Sequence, residues 1–555
     1  MNSHRIHTIL SVVVGLLAIW LASQLADRYR FRLDMTEERR YSVSDATKST
    51  LESLDDDVFV EVFLTGNLPS KFQRFEKSIG ELLDEFAIYG NVQFKFTDPS
   101  QAGNEDARNR FYQSLVQRGI QPTNLNDRRD GQSSQQLIFP GAIVSIGAKE
   151  TAVNLLSGNR QGSNDEVINE SIEGLEYEFV QAIRSLTENR KRIGIITDHG
   201  VPDSTQLAGL TGRILEKYNL FNVRLSQRNR LLTGYDAIVL PKPTDAFNAH
   251  EKYYLDQYVM RGGKLLIFYD ALRVNMDSAS GEGTIAVPYE TNLDDMFFRW
   301  GVRINKNYVL DLNSGTTVVV TGNFGEEPQL QLLPWPFFPI VSNYGDHPSV
   351  KGLDATLLRF ASSIDTVKAA GIKKTPLLKT SERTKIIWPP VKVAYNDLQG
   401  TLQPEFFKDG THTLGYLLEG KFQSFYKNRF PPKGIDKTTF REDGDFSRVV
   451  VVADGDVIRN EFDIESGQPL DIGVDPYAQQ NYANGELVTR LLDYLTDEDG
   501  LVMVRAKDIK IRPLDQAKVK EEKAKWQLIN VVLPLVLIVL LGGLKFYLRK
   551  RKFTD

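Results

Sequence analysis

Hydrophobic and polar positions divide the chain into two apolar ends and a long mixed middle. From Trp526 to Leu544 no residue carries a charge, and Lys545, Arg549, Lys550, Arg551 and Lys552 follow closely. About 19 helical residues rising ~1.5 Å each come close to spanning a ~30 Å hydrocarbon core. Leu, Ile and Val each favour insertion by roughly 0.3–0.6 kcal/mol. The pattern predicts a transmembrane helix over 526–544 with Trp526 at one interface, and the basic tail 545–555 marks that end as cytoplasmic. Pro534 cannot donate to the carbonyl of Asn530, so a kink is expected there, with the Asn530 amide available to a partner helix. Thr8 to Ala26 is a second apolar run, preceded by Arg5 and followed by Asp27-Arg28-Tyr29-Arg30-Phe31-Arg32. It is longer than a usual signal-peptide core and lacks a clear cleavage site, so 8–26 reads as an uncleaved anchor. Arg28, Arg30 and Arg32 oppose the positive-inside rule locally, but the C-terminal cluster is stronger and sets the orientation. Two spans then place both termini in the cytoplasm and the bulk on the periplasmic side.

The middle changes grammar once. After a connector over 27–52, in which Thr36 and Ser44 suit helix N-caps, Val58–Leu64 alternates as a strand. Phe75, Ile79, Leu82, Leu83 and Phe86 then recur at helical spacing, and Val92–Phe96 is a second strand. Gln136–Pro140 leads into two further strands, Ala142–Gly147 and Thr151–Leu156, joined by a short polar turn. A βαβ unit followed by a hairpin is the order of a thioredoxin-like domain, here over 53–160, with Pro140 where that fold often keeps a cis proline. An amphipathic helix within 165–190 links it to a second body over 191–505. There the strands Arg192–Thr197, Phe221–Leu225, Asp236–Leu240 and Lys264–Phe268 alternate with helices around Leu207–Lys217 and His250–Met260. That spacing predicts a parallel sheet with helices on both faces. Arg448–Ala453 and a helix over Glu486–Leu495 resume the pattern, so about 275–445 reads as an insertion and 506–525 as a juxtamembrane linker. The fold class is α/β, bracketed by two transmembrane helices.

Composition narrows the function. Charged residues make up 25% of the chain and the mean hydropathy is −0.29, which describes a soluble body rather than a polytopic membrane protein. A net charge of −5 gives no nucleic-acid footprint. The absence of cysteine excludes disulfides, thiolate metal sites and thiol redox chemistry. No Gly-x-x-x-x-Gly-Lys-[Ser/Thr] loop is present, and Gly262-Gly263-Lys264 runs into a strand, so P-loop ATP hydrolysis is excluded. His4, His7, His250, His347 and His412 have no metalloprotease spacing, and there is no Gly-x-Ser-x-Gly elbow. Neither an enzymatic activity nor a cofactor is expected. Ligands of open parallel sheets lie beyond the carboxyl ends of the strands, which singles out Asp198, His199, Asp270, Asp454 and Asp456. Such carboxylates suit a hard cation or sugar hydroxyls; Asp after a strand also simply makes turns and caps.

Several stretches carry a family resemblance: Leu33-Asp-Met-Thr-Glu-Glu-Arg-Arg-Tyr-Ser-Val-Ser44, Gly194-Ile-Ile-Thr-Asp-His-Gly200, Gln257-Tyr-Val-Met-Arg-Gly-Gly-Lys-Leu-Leu266, Glu419-Gly-Lys-Phe-Gln-Ser424, Val452-Ala-Asp-Gly-Asp456 and Trp526-Gln-Leu-Ile-Asn-Val-Val-Leu-Pro534. In that order they resemble the GldG group of gliding-motility-associated ABC transporter auxiliary proteins. The resemblance implies an inner-membrane protein working with a GldA-like ABC ATPase and a GldF-like permease. It also implies that the second body is like a class I glutamine amidotransferase sheet, here without the catalytic cysteine. The expectation is therefore a non-catalytic, substrate-binding accessory subunit. The alternatives are a membrane-anchored hydrolase using Asp198 and His199, and a carbohydrate- or cell-wall-binding structural protein.

Overall fold

The computed structural model describes residues 42–129, 132–156, 164–228, 230–275, 283–324, 327–394, 403–506 and 516–553, together with positions 14, 15, 17 and 20. The chain divides into two compact units, Met1–Lys507 and Asp508–Asp555.

In the first unit, Ser44 caps α1 (Asp45–Glu52), its hydroxyl accepting from the Thr47 N–H at 3.1 Å. Thr36 lies outside the described residues. β1 (Val58–Val62), α2 (Ser70–Tyr89) and β2 (Val92–Phe96) form a βαβ unit with parallel strands. Periodicity gives no sign of the next elements, α3 (Glu105–Gln117) and the hairpin of β3 (Thr123–Arg129) with β4 (Gln132–Ile138), because both are mostly polar. β5 (Gly141–Ile146) and β6 (Lys149–Asn154) pair antiparallel and complete a sheet of order β2-β1-β5-β6. The peptide before Pro140 is trans, against expectation; among the described residues only Pro389–Pro390 is cis. Val58, Val60 and Val62 alternate onto the face covered by Phe75, Ile79, Leu83 and Phe86 of α2.

α4 (Asn164–Thr187) ties this sheet to the next. Leu175, Phe179, Val180 and Ile183 belong to a core that also holds Ile193, Ile195, Leu266 and Val450 of the second sheet. Each such side chain, fully buried, contributes about 1.5–3 kcal/mol. The tie is polar as well: Glu176 of α4 accepts from Thr47 Oγ1 at 2.7 Å, and Tyr177 donates to Asp493 at 2.8 Å.

The second sheet begins with β7 (Arg192–Ile196), α5 (Ala208–Lys217), β8 (Asn219–Val223), β9 (Ala237–Pro241), α6 (Ala249–Met260) and β10 (Lys264–Phe268). α6 opens with a capping box, Asn248 with Glu251, and closes where Gly262 takes φ +78°, a left-handed turn that glycine adopts freely. After α7 (Asp294–Trp300) come β11 (Asn343–Tyr344), β12 (Ile372–Lys379), β13 (Thr413–Gln423) and β14 (Asp443–Val452), then α8 (Asn484–Thr496). The strand order is β11-β12-β13-β14-β10-β9-β7-β8. β14, β10, β9, β7 and β8 pair in parallel, whereas β11, β12 and β13 join through antiparallel pairings. The sheet is therefore mixed, and the interval 275–445 supplies three of its strands rather than standing apart from it. Antiparallel strands need no crossover helix, so the βαβ signal used to find the others does not reach them. Alternate residues of β14 face opposite sides: Val450 and Val452 share a core with Leu487 and Leu491 of α8, and Val449 and Val451 share one with Tyr253 and Val259 of α6.

The second unit is α9 (Gln516–Phe553), a helix of 38 residues. Its segment Lys525–Leu548 is, among the described residues, the one helix long and apolar enough to cross a membrane. The helix runs unbroken through Pro534 and starts at Gln516, so the second half of the expected linker is helical. Trp526 donates to Glu522 at 2.8 Å. Val14, Gly15, Leu17 and Trp20 are helical, but the rest of the first apolar run lies outside the described residues, as do residues 27–41 of the connector 27–52.

Candidate functional site

The parallel strands deliver their carboxyl ends in the order β14, β10, β9, β7, and the singled-out residues follow them. Asp454 and Asp456 leave β14, Asp270 leaves β10, and carboxylate oxygens of all three lie within 4.8 Å of one another. Between them comes a residue that acid-centred reading passes over. Lys242, next after β9, places Nζ 2.9 Å from Asp270 and 2.5 Å from Asp456. Arg459 adds a second cation, 2.8 Å from Asp456. The backbone closes the remaining acceptors: Gly455 N–H donates to Asp270 at 2.5 Å, and Asp454 accepts from Arg359 N–H at 2.6 Å and Asp456 N–H at 2.7 Å. Arg359 pairs in turn with Glu461.

Side-chain exposures of 13%, 6% and 11% for Lys242, Asp270 and Asp456 make this a nearly dry cluster. Burial opposes charge throughout, and the neighbours decide the outcome. For Lys242 the carboxylates of Asp270 and Asp456 outweigh burial and hold the ammonium above the ordinary lysine value. Burial raises Asp456 too, but Lys242 and Arg459 prevail and bring it down to about 2. Asp454, reinforced by its two acidic neighbours, is pushed well above the carboxylate range by burial. Burial also raises Asp270, against Lys242. The cluster thus carries its own counter-cations. A hard cation takes six to eight oxygen ligands, and here it would have to displace the Lys242 ammonium.

Asp198 and His199, which leave β7, stand in a separate arrangement. His199 adopts φ +67° and stacks on Phe247 with ring centres 3.9 Å apart. Its Nδ1 lies 2.9 Å from Asp198 and its Nε2 3.0 Å from Glu251. Glu251 is also the capping carboxylate of α6, accepting from Asn248 N–H at 2.7 Å. The second Asp198 oxygen accepts from the N–H and hydroxyl of Ser226, each at 2.8 Å. Burial raises Asp198, but Ser226 and His199 together hold it below its usual value. Both imidazole nitrogens thus lie within hydrogen-bond distance of carboxylates. The turn after Lys242 links the two groups, the N–H groups of Thr244 and Asp245 donating to the His199 carbonyl at 2.9 and 3.0 Å.

Lys242 also has a left-handed backbone, φ +50°. Non-glycine residues in that region cost on the order of 1 kcal/mol and persist where surrounding contacts over-determine them. Sequence did offer signals for the missed partners. Lys242 occupies the same strand-end position as the acids, and Glu251 stands three residues after Asn248 in a capping-box pattern.

A family model described as an ABC-type uncharacterized transport system matches residues 190–490, more than half of the chain. The chain belongs to this ABC transporter auxiliary family. The match covers the second sheet from β7 onward and both strand-end groups. Its place in the family supports an accessory role in an ABC transport system and association with ABC transporter components, and α9 suggests membrane association. A domain of unknown function, DUF7088, matches residues 37–145. An uncharacterized protein of Borreliella burgdorferi is 20% identical over 567 residues, covering 98% of each chain. Among solved structures, the mmIFT52 N-terminal domain aligns at 12% identity over 55% of this chain and 98% of its own, with a TM-score of 0.31. The exo-beta-1,4-mannosidase Op5Man5 from an Opitutaceae bacterium aligns at 11% identity over 70% of this chain and 46% of its own, with a TM-score of 0.19.

Proposed function

We propose that this ABC transporter auxiliary protein is a non-catalytic accessory subunit that presents its large soluble body beside a permease on the periplasmic side of the inner membrane. The observation that carries the reading is the family match over residues 190–490, in a chain that ends in an apolar helix long enough to span a bilayer. In the finer form of the proposal, 8–26 is a second span and both termini are cytoplasmic. The first sheet is thioredoxin-like without redox cysteines, and the second is amidotransferase-like without a nucleophilic cysteine. The partners are then a GldF-like permease and a GldA-like ATPase serving gliding motility, and the carboxyl-end face of the second sheet, braced from within by Asp198, His199, Asp270, Asp454 and Asp456, is the side turned to a transported substrate.

The test is purification of the tagged chain from solubilised membranes, with identification of what accompanies it. Stoichiometric recovery of a permease and an ATPase is expected, and recovery of the chain alone after mild solubilisation overturns the proposal. The hydrolase reading is less well supported, because Glu251 occupies the His199 nitrogen that a general base would use. It predicts that the D198A/H199A variant loses function at normal expression; the accessory reading predicts that the variant still assembles with the permease.

A further inference from the structure

A cavity of about 300 Å³ lies between the end of α7, the segment at 368–372 and the residues that follow β13. It stands apart from both strand-end groups. Five charged side chains line it: Asp295, Arg299, Lys368, Lys427 and Arg429. Two are neutralised by neighbours, Asp295 by Lys252 at 2.5 Å and Lys427 by Asp443 at 2.6 Å. Arg299, Lys368 and Arg429 form no ion pair among the described residues.

Arg299 is the most telling of the three. One guanidinium nitrogen donates to Gln423 Oε1 at 3.1 Å, while Nε is buried with no hydrogen-bond partner among the described residues. A guanidinium has five donors in a fixed fork, and leaving a buried donor unsatisfied costs about 1–3 kcal/mol. The surroundings are built to stay in place. Buried Asp256 accepts from Ser424 Oγ at 2.6 Å and from the Phe425 N–H at 2.7 Å, fixing the corner after β13. Arg429 and Lys252 each lie 4.4 Å from the centre of the Phe425 ring. Phe298, half exposed, gives the cavity an apolar edge.

Three cations without an ion pair among the described residues, one of them a guanidinium, suit a phosphoryl group, which accepts bidentate bonds from arginine and carries more than one charge. We propose that this cavity binds the phosphoryl group of a small ligand, with Arg299 as the fork, Lys368 and Arg429 as charge partners and Phe298 against the ligand's apolar part. The phosphoryl group belongs either to a soluble molecule or to a lipid headgroup. The proposal goes beyond the accessory role and does not rest on it.

The test is titration calorimetry on the full chain in neutral detergent, with inorganic pyrophosphate in one arm and dihexanoyl phosphatidic acid in the other. Saturable binding in at least one arm is expected, weakened about tenfold by R299Q and by R429Q, unchanged by K408Q outside the cavity, and weakened by added salt. Tighter binding of pyrophosphate assigns a soluble ligand; tighter binding of phosphatidic acid assigns a headgroup. Absence of binding in both arms overturns the proposal, as does wild-type affinity in R429Q. The exposed position of Arg429 keeps that variant informative should R299Q fail to fold.

Discussion

The ammonium of Lys242 lies 2.9 Å from the carboxylate of Asp270, joining the ends of neighbouring strands β9 and β10. Asp456 on the far side makes the same lysine a tie across three strand ends. Removing one member of such a buried pair typically costs 3–5 kcal/mol, because an uncompensated charge stays behind. Lys242→Met is expected to destabilise the protein by about that amount, and adding Asp270→Asn should restore part of it. Thermal unfolding of the three proteins in detergent checks this; an unchanged midpoint for Lys242→Met removes the tie from the account.

Asp256 gives stability a pH dependence. Burial raises its pKa to about 6, against the hydrogen bonds from Ser424, Phe425 and Gln257 and the charge of Arg299. Between about pH 4 and pH 6 the folded protein keeps a proton that the unfolded chain has lost, so stability falls as pH rises through this window. The total is on the order of 3 kcal/mol. Asp256→Asn should abolish that component, and the difference in unfolding midpoint between variant and wild type should grow from pH 4 to pH 6 and then level off.

His347 acts in the opposite sense. It is buried edge-on to Tyr494, with ring centres 4.5 Å apart, and its Nδ1 lies 2.8 Å from Ser349 Oγ. Burial lowers its pKa to about 4, in spite of Glu419. Below the ordinary histidine value of about 6.5 the unfolded chain takes up a proton that the folded one refuses, so this stability is lost as pH falls from about 6.5 to 4. His347→Gln should flatten that loss, measured as the change in unfolding midpoint between pH 7 and pH 4.5. An identical change in wild type and variant contradicts the assignment.

In α9 the apolar side chains from Val531 to Leu541 are exposed all round, as a lipid-facing helix requires. An arginine at the centre of a span costs roughly 2.5–3.5 kcal/mol on insertion scales. Leu537→Arg is therefore expected to shift a reporter carrying residues 516–555 from membrane-integrated to carbonate-extractable. Equal integration of both forms argues against a span here.

Much of the second sheet is legible because its parallel strands are separated by helices. Lys264–Phe268, like Val92–Phe96 in the first sheet, has the same bounds in sequence pattern and structure. Pairings set by tertiary contacts leave no such trace in the sequence. β13 is largely apolar in its first half, but nothing local says that its partner is β14 or that Ile372–Lys379 lies on its other side. The strand-end rule found Asp270, Asp454 and Asp456, yet not the cation between them, since Lys242 falls in a Pro-Lys-Pro turn that reads as a loop. It also grouped His199 with those acids, whereas Glu251, reaching from α6, draws the imidazole into a different set of contacts. The Arg299 cavity had no sequence signal, because its cations come from three distant segments.

The pairing of β10 with β14 has a bearing on how the protein is made. Asp270 and the Gly455 amide it accepts are 185 positions apart. At roughly 5–20 residues per second, the ribosome needs on the order of ten to forty seconds to deliver the second after the first. Throughout that interval one flank of β10 offers unpaired backbone groups to any strand that drifts by. Safe biogenesis of this chain therefore calls for shielding of a half-built sheet, and slowed translation downstream of residue 268 should raise its tendency to aggregate.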